Sequence, residues 1–116
     1  MNVVILRGIL SRPPTARELP SGDQLVAFEV TTRRADGPAE SVPVAWLGAP
    51  LRAQKLQAGA EVVVTGRVRR RFFRASGDTA SRTEVVADVV MPASHSTRVA
   101  QAVERAVAGT RPMLSP

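Results

Sequence analysis

Cysteine is absent from the 116 residues, which removes disulfides, thiol nucleophiles and thiolate metal sites, so the fold must rest on packing. Tyrosine is absent as well, aromatic residues make up only 3%, and the single histidine is His95, flanked by Ser94 and Ser96. The nearest preceding carboxylate is Asp88. Nothing in the chain resembles a nucleophile elbow, a phosphate-binding glycine loop or a metal pair. No catalytic residue, metal or cofactor is therefore assigned, and an enzyme is not expected. Long apolar runs are missing too. The start, Met1-Asn2-Val3-Val4-Ile5-Leu6-Arg7, lacks both a basic leader and the length of a signal or membrane segment. No long basic amphipathic helix is evident to lie on an anionic membrane. These absences point to a cytoplasmic protein with no membrane partner.

Acidic residues are scarce beside basic ones, ten against sixteen, for a net charge of +6, and fifteen of the sixteen cations are arginine. Arginine favours planar, bidentate contact with phosphate and stacking on bases, although a GC-rich genome produces the same bias without selection for binding. With 44% hydrophobic residues, the chain has enough apolar material for one domain with a modest core.

The charge is concentrated. Gly66-Arg67-Val68-Arg69-Arg70-Arg71-Phe72-Phe73-Arg74 places five arginines and two phenylalanines in nine residues. As a strand, this segment puts Val62, Val64, Gly66 and Val68 on one face and Thr65, Arg67, Arg69, Arg71 and Phe73 on the other. The first set lines a core. The second makes a basic outer stripe that ends in a ring, which suits single-stranded nucleic acid: arginine attracts phosphates and a ring stacks on a base. A solvated hairpin end that only aids solubility is the plainer explanation. Phe72 falls on the face opposite Phe73, so only one of the two belongs to the stripe. Arg74, and Arg33 and Arg34 at the start of a polar connection, complete the basic candidates. If about five phosphates are neutralised, log affinity falls with log salt at a slope of roughly −3.5.

Strands and turns alternate along the chain. Asn2 to Leu10 reads as a strand stopped by Pro13-Pro14. Gln24 to Thr32 alternates, with Val26, Phe28 and Val30 on a core face. Ser41 to Leu47 is a third strand, with Pro43 marking an edge or bulge. Pro50 to Gly59 reads as a short helix. Glu61 to Arg74 and Arg82 to Met91 are the fourth and fifth strands, joined by a tip over 75–81. Three strands, a helix and two strands is the order of the five-stranded Greek-key barrel called the OB-fold, with an SH3-like small barrel as the competitor. The expectation is an all-β domain over residues 1–93, followed over 94–116 by a short C-terminal helix and tail. In that helix, Val99, Ala102, Val103, Ala106 and Val107 form an apolar stripe, with Ser96 or Thr97 to cap it and Gly109 to end it. Packing on its own barrel and contact with another subunit are equally open. Trp46 is equally open, since the apolar neighbours Val44 and Ala45 leave both strand faces suited to a core.

Met1 to Gly8, Leu19-Pro20-Ser21-Gly22, Val44-Ala45-Trp46-Leu47-Gly48, Gly59 to Gly66 with Arg67-Val68-Arg69, and Thr83-Glu84-Val85-Val86-Ala87-Asp88 together resemble the bacterial single-stranded DNA-binding protein family. The similarity covers about residues 1 to 91 and lies in the order of the segments. It implies an OB barrel that assembles as a homodimer or homotetramer and binds single-stranded DNA in replication, recombination or repair. It also implies that Trp46 and Phe73 are outward, base-stacking aromatics and that Arg69 and Arg71 belong to a basic hairpin. In two places the chain departs from the family pattern. The loop between the second and third strands is short and carries Asp36 and Glu40 in place of further aromatics, which weakens contact there. No carboxylate side chain follows Glu104, so recruitment of enzymes through an acidic tip is not expected. These departures keep a second reading open, a primosome-type OB-fold adaptor that binds a protein partner as well as DNA. An apolar first strand, with Val3, Ile5 and Ile9 sharing a face, suggests a subunit contact.

Overall fold

The computed structural model describes residues 1–110. The tail over 111–116, including the expected lack of an acidic tip, lies outside the described residues. Six strands and one helix follow in order: β1 Val4–Leu10, β2 Thr15–Glu18, β3 Gln24–Arg33, β4 Ala39–Leu47, β5 Glu61–Ala75, β6 Asp78–Pro92 and α1 Ser96–Ala108.

The strands lie in the order β1-β5-β6-β4-β3-β2. β1 pairs with β5 from Val4 to Ile9 and then with β3 at Ile9 and Leu10, which closes the sheet. This switch needs a close approach at Gly8, where a Cβ would run into the Thr31 carbonyl oxygen. β4 and β6 run parallel, with Val44 beside Val85, and the other pairs are antiparallel. The closed, mostly β arrangement agrees with the OB barrel expected from strand order.

Alternating apolar residues fill the interior. Leu10, Val26, Val30, Val44, Val62, Val64 and Val90 are fully buried, and Phe28 joins them as expected. Each such side chain contributes about 1.5–3 kcal/mol through burial. Val85 and Val90 face inward although they stand five positions apart, an odd offset, because the ladder slips between Thr65 and Gly66. Gly66 pairs with Ala87 and Thr65 with Val89, leaving Asp88 as the extra residue of a bulge. A Cβ on Gly66 would collide with the Val86 carbonyl, so this close passage of β5 over β6 requires glycine.

Four expectations are corrected. The segment read as a helix before β5 is only a 3-10 turn, Leu51–Lys55, five residues long. β2 was not expected: its four residues are all exposed and carry no apolar alternation. The wide tip over 75–81 is a two-residue turn, with Ala75 paired to Asp78. Ser76 and Gly77 both have positive φ, 52° and 83°, as a tight hairpin with the sheet's twist demands. α1 starts after His95, with no side-chain cap from Ser96 or Thr97.

The position of α1 resolves one open question. Ala102 is buried with Val63 of β5 and Met91 of β6, and Val99 packs alongside. The helix therefore covers the outward face of its own barrel at the base of β5. Val107 remains 46% exposed at its far end. At the other terminus, Asn2 extends the β1–β5 ladder with its side chain, its Nδ2 donating to the Val68 carbonyl at 2.7 Å and its Oδ1 accepting from the Val68 amide at 2.8 Å.

Candidate nucleic-acid interface

β5 and β6 run on past the barrel as a two-stranded arm. β1 leaves β5 at Gly66, and β4 meets β6 only around Val85 and Val86. From Arg69 to Glu84 both edges of the arm are unpaired among the described residues. Because residues directly opposite share a face, the pairs Arg67–Val86, Arg69–Glu84, Arg71–Arg82 and Phe73–Ala80 fix an outward row. The expected parity of Arg67, Arg69, Arg71 and Phe73 is thus borne out.

The middle of that row forms one wall of a groove of about 550 Å³. Its other wall comes from β2, β3 and β4, through Arg17, Leu25, Ala27, Ala45 and Leu47. Arg69, Arg71, Arg82 and Glu84 line the arm side. Arg71 sits over the Phe73 ring, with 5.5 Å from guanidinium carbon to ring centroid. Phe73 is 39% exposed, so it can offer a face to a base while the arginine holds its other side.

The groove also holds a carboxylate. Glu84 is 6% exposed, and its Oε1 accepts from Arg69 at 2.9 Å and lies 3.2 Å from Arg71 Nε. One carboxylate oxygen is shared by two guanidinia, which fixes their heads on the groove floor and cancels one of their two charges. The Nε of Arg69 is buried without a hydrogen-bond partner.

The remaining candidates do not all converge. Trp46 is not outward: it is 6% exposed and packs in the core. Register explains this, since Trp46 lies opposite Val26, which points into the barrel. Arg52 lies over the ring at 5.6 Å. The outward place beside it belongs to Leu47, 43% exposed and opposite Leu25. Arg74 lies on the opposite face of the arm from Phe73. Arg33 and Arg34 sit at the β3–β4 turn, where Arg34 approaches Glu40 at 3.8 Å. Arg33 is six residues along β3 from Ala27, roughly 20 Å at strand rise, so the groove does not include this pair.

Sequence reasoning missed Arg17, Arg82, Leu25, Leu47 and Glu84 as groove residues. Only pairing could have found them. Arg82 and Glu84 face Arg71 and Arg69 across the ladder, and the sequence does not show that register. Among the described residues no cluster of three or more histidine and acidic side chains could hold a metal. Among the same described residues no helix is long and apolar enough to cross a membrane.

A strand-built groove edged with arginine and a partly exposed ring is a geometry suited to a flexible polyanion with flat bases. The family model described as the single-strand binding protein family matches residues 1–92. The chain belongs to that family. No curated protein matches it.

Proposed function

We propose that the protein binds single-stranded DNA with little sequence preference and without catalysis, in replication, recombination or repair. The observation that carries this reading is the groove in which Arg17, Arg69, Arg71 and Arg82 face apolar Leu25 and Leu47, with the partly exposed ring of Phe73 held beneath Arg71. The cations attract phosphates whatever the sequence, and the ring takes a base of any kind. Family membership supports the same ligand. A cytoplasmic site of action accompanies this role.

The protein acts as a homo-oligomer in this reading. Ile5 and Ile9 lie exposed on the outward face of β1 at 42% and 48%, with Val3 just ahead of it at 39%, and among the described residues β1 has an unpaired edge along its first residues. A second copy is the natural cover for such a surface.

Phosphate contact is supported by Arg67 and the four groove arginines, opposed by Glu84, so about four charges act per subunit. The slope of log affinity against log salt is then about −2.8, a loss of roughly fiftyfold between 50 and 200 mM salt. Titration of an oligothymidylate at several salt concentrations tests this. Arg71→Ala should flatten the slope by about 0.7. Phe73→Ala should cost about 1–3 kcal/mol with the slope unchanged. Affinity independent of salt would overturn the reading.

A further inference from the structure

The arm has a second face. Arg70, Phe72 and Arg74 project from it on the side away from the groove, opposite Thr83, Ser81 and Thr79. Had the barrel continued beneath them, these positions would point into its core. Beyond Val68 and Val85 no third strand lies there among the described residues, so both faces of the ribbon are exposed. Phe72 is 65% exposed, more than Phe73 at 39%. Arg70 lies over its ring with 5.8 Å to the centroid, repeating the pairing of Arg71 with Phe73 at 5.5 Å.

Charge distinguishes the two faces. On the groove side, Glu84 occupies Arg69 and Arg71. On the far side, neither Arg70 nor Arg74 has an acidic partner within 4 Å among the described residues, and the β6 positions beside them carry only hydroxyls. A protein partner would need a contiguous apolar centre, whereas Phe72 is a single ring among arginine, serine and threonine. Isolated rings between cations suit stacked bases joined by phosphates.

We propose that the far face of the arm is a second contact surface for single-stranded DNA, with Phe72 as its stacking platform and Arg70 and Arg74 as its phosphate contacts. The strand that fills the groove continues around an unpaired edge of the arm to reach it. This inference rests on the single-strand-binding reading above and extends the path of the same ligand.

A length series of oligothymidylates, titrated into the full chain and its variants at fixed salt, tests the path. Oligonucleotides just long enough to fill the groove should bind Phe72→Ala and the parent equally. Longer ones that reach the far face should bind Phe72→Ala about 5- to 150-fold more weakly. Arg70→Ala should flatten the salt slope by about 0.7 for the long oligonucleotides alone. Phe73→Ala should weaken binding at every length. Unchanged melting is expected for Phe72→Ala, whose ring is largely in solvent. Parent-like affinity of both far-face variants at all lengths would overturn the second surface, as would a loss that is the same at every length. If Phe73→Ala and Arg71→Ala also bound like the parent, the groove reading itself would fail.

Discussion

Replacing Glu84 by glutamine should make the protein bind single-stranded DNA more tightly while making it less stable. The carboxylate lies on the groove floor and its Oε1 serves both Arg69 and Arg71. Glutamine keeps the shape and can still accept from one guanidinium, but removes the only negative charge that lines the groove among the described residues. Five arginines then act without opposition, and the salt slope steepens from about −2.8 to about −3.5. Between 50 and 200 mM salt the variant should lose about 2.6-fold more affinity than the parent, having started tighter at low salt. Stability should fall by about 1.5–3 kcal/mol, the range for hydrogen bonds to charged groups. A larger loss is not expected, because the side chains of Arg69 and Arg71 are 35% and 45% exposed and water can take over their solvation. Fluorescence anisotropy of a labelled oligothymidylate across a salt series, with urea unfolding of the same preparations, measures both quantities. Weaker binding with an unchanged or flatter slope would refute the reasoning. It would mean that Glu84 serves chiefly to hold the two guanidinia in their binding geometry.

Trp46→Ala should remove about 3–5 kcal/mol of stability, as large aromatic truncations in cores do, and any fall in binding should track the fraction unfolded. Thermal melting beside affinity at low temperature checks this, and intact melting with lost binding would contradict the buried position. Ile5→Asp should leave the monomer folded, because Ile5 is 42% exposed, yet shift sedimentation at micromolar concentration toward single chains. A sedimentation profile matching that of the parent would place the subunit contact elsewhere.

The barrel was legible because its strands alternate. Val26, Phe28 and Val30 announce an inward face, as do Val62 and Val64, and both rows are buried. Where alternation gave no contrast, the structure was hidden. β2 has no apolar residue but Ala16, and it is held by backbone pairing to β3. Residues 78–81 are polar or small and looked like loop, yet they pair in the arm, where no core asks for apolar side chains. At β6 the bulge at Asp88 inverts the parity, so Val85 and Val86 and then Val89 and Val90 looked alike on both faces. Trp46 shows the limit of resemblance. Family similarity suggested an outward ring, but pairing with Val26 turns it inward and leaves Leu47 outside. The basic row was readable from parity alone. Its carboxylate was not, because the contact between Glu84 and Arg69 spans fifteen residues and depends on register.

The arm stands apart from the packing that holds the barrel. From Arg70 to Ala75 each side chain of β5 is exposed, so substitutions there, apart from Arg71 with its contact to buried Glu84, remove little buried area and should cost little stability. Residues of the barrel have no such latitude, since Gly8 and Gly66 admit no Cβ and the valines fill a close-packed interior. Selection can therefore rewrite the arm's charges and rings, tuning grip and reach on a ligand, while the fold beneath stays fixed. The same separation makes the arm a suitable site for engineering, where a library of hairpins could be screened on one unaltered scaffold.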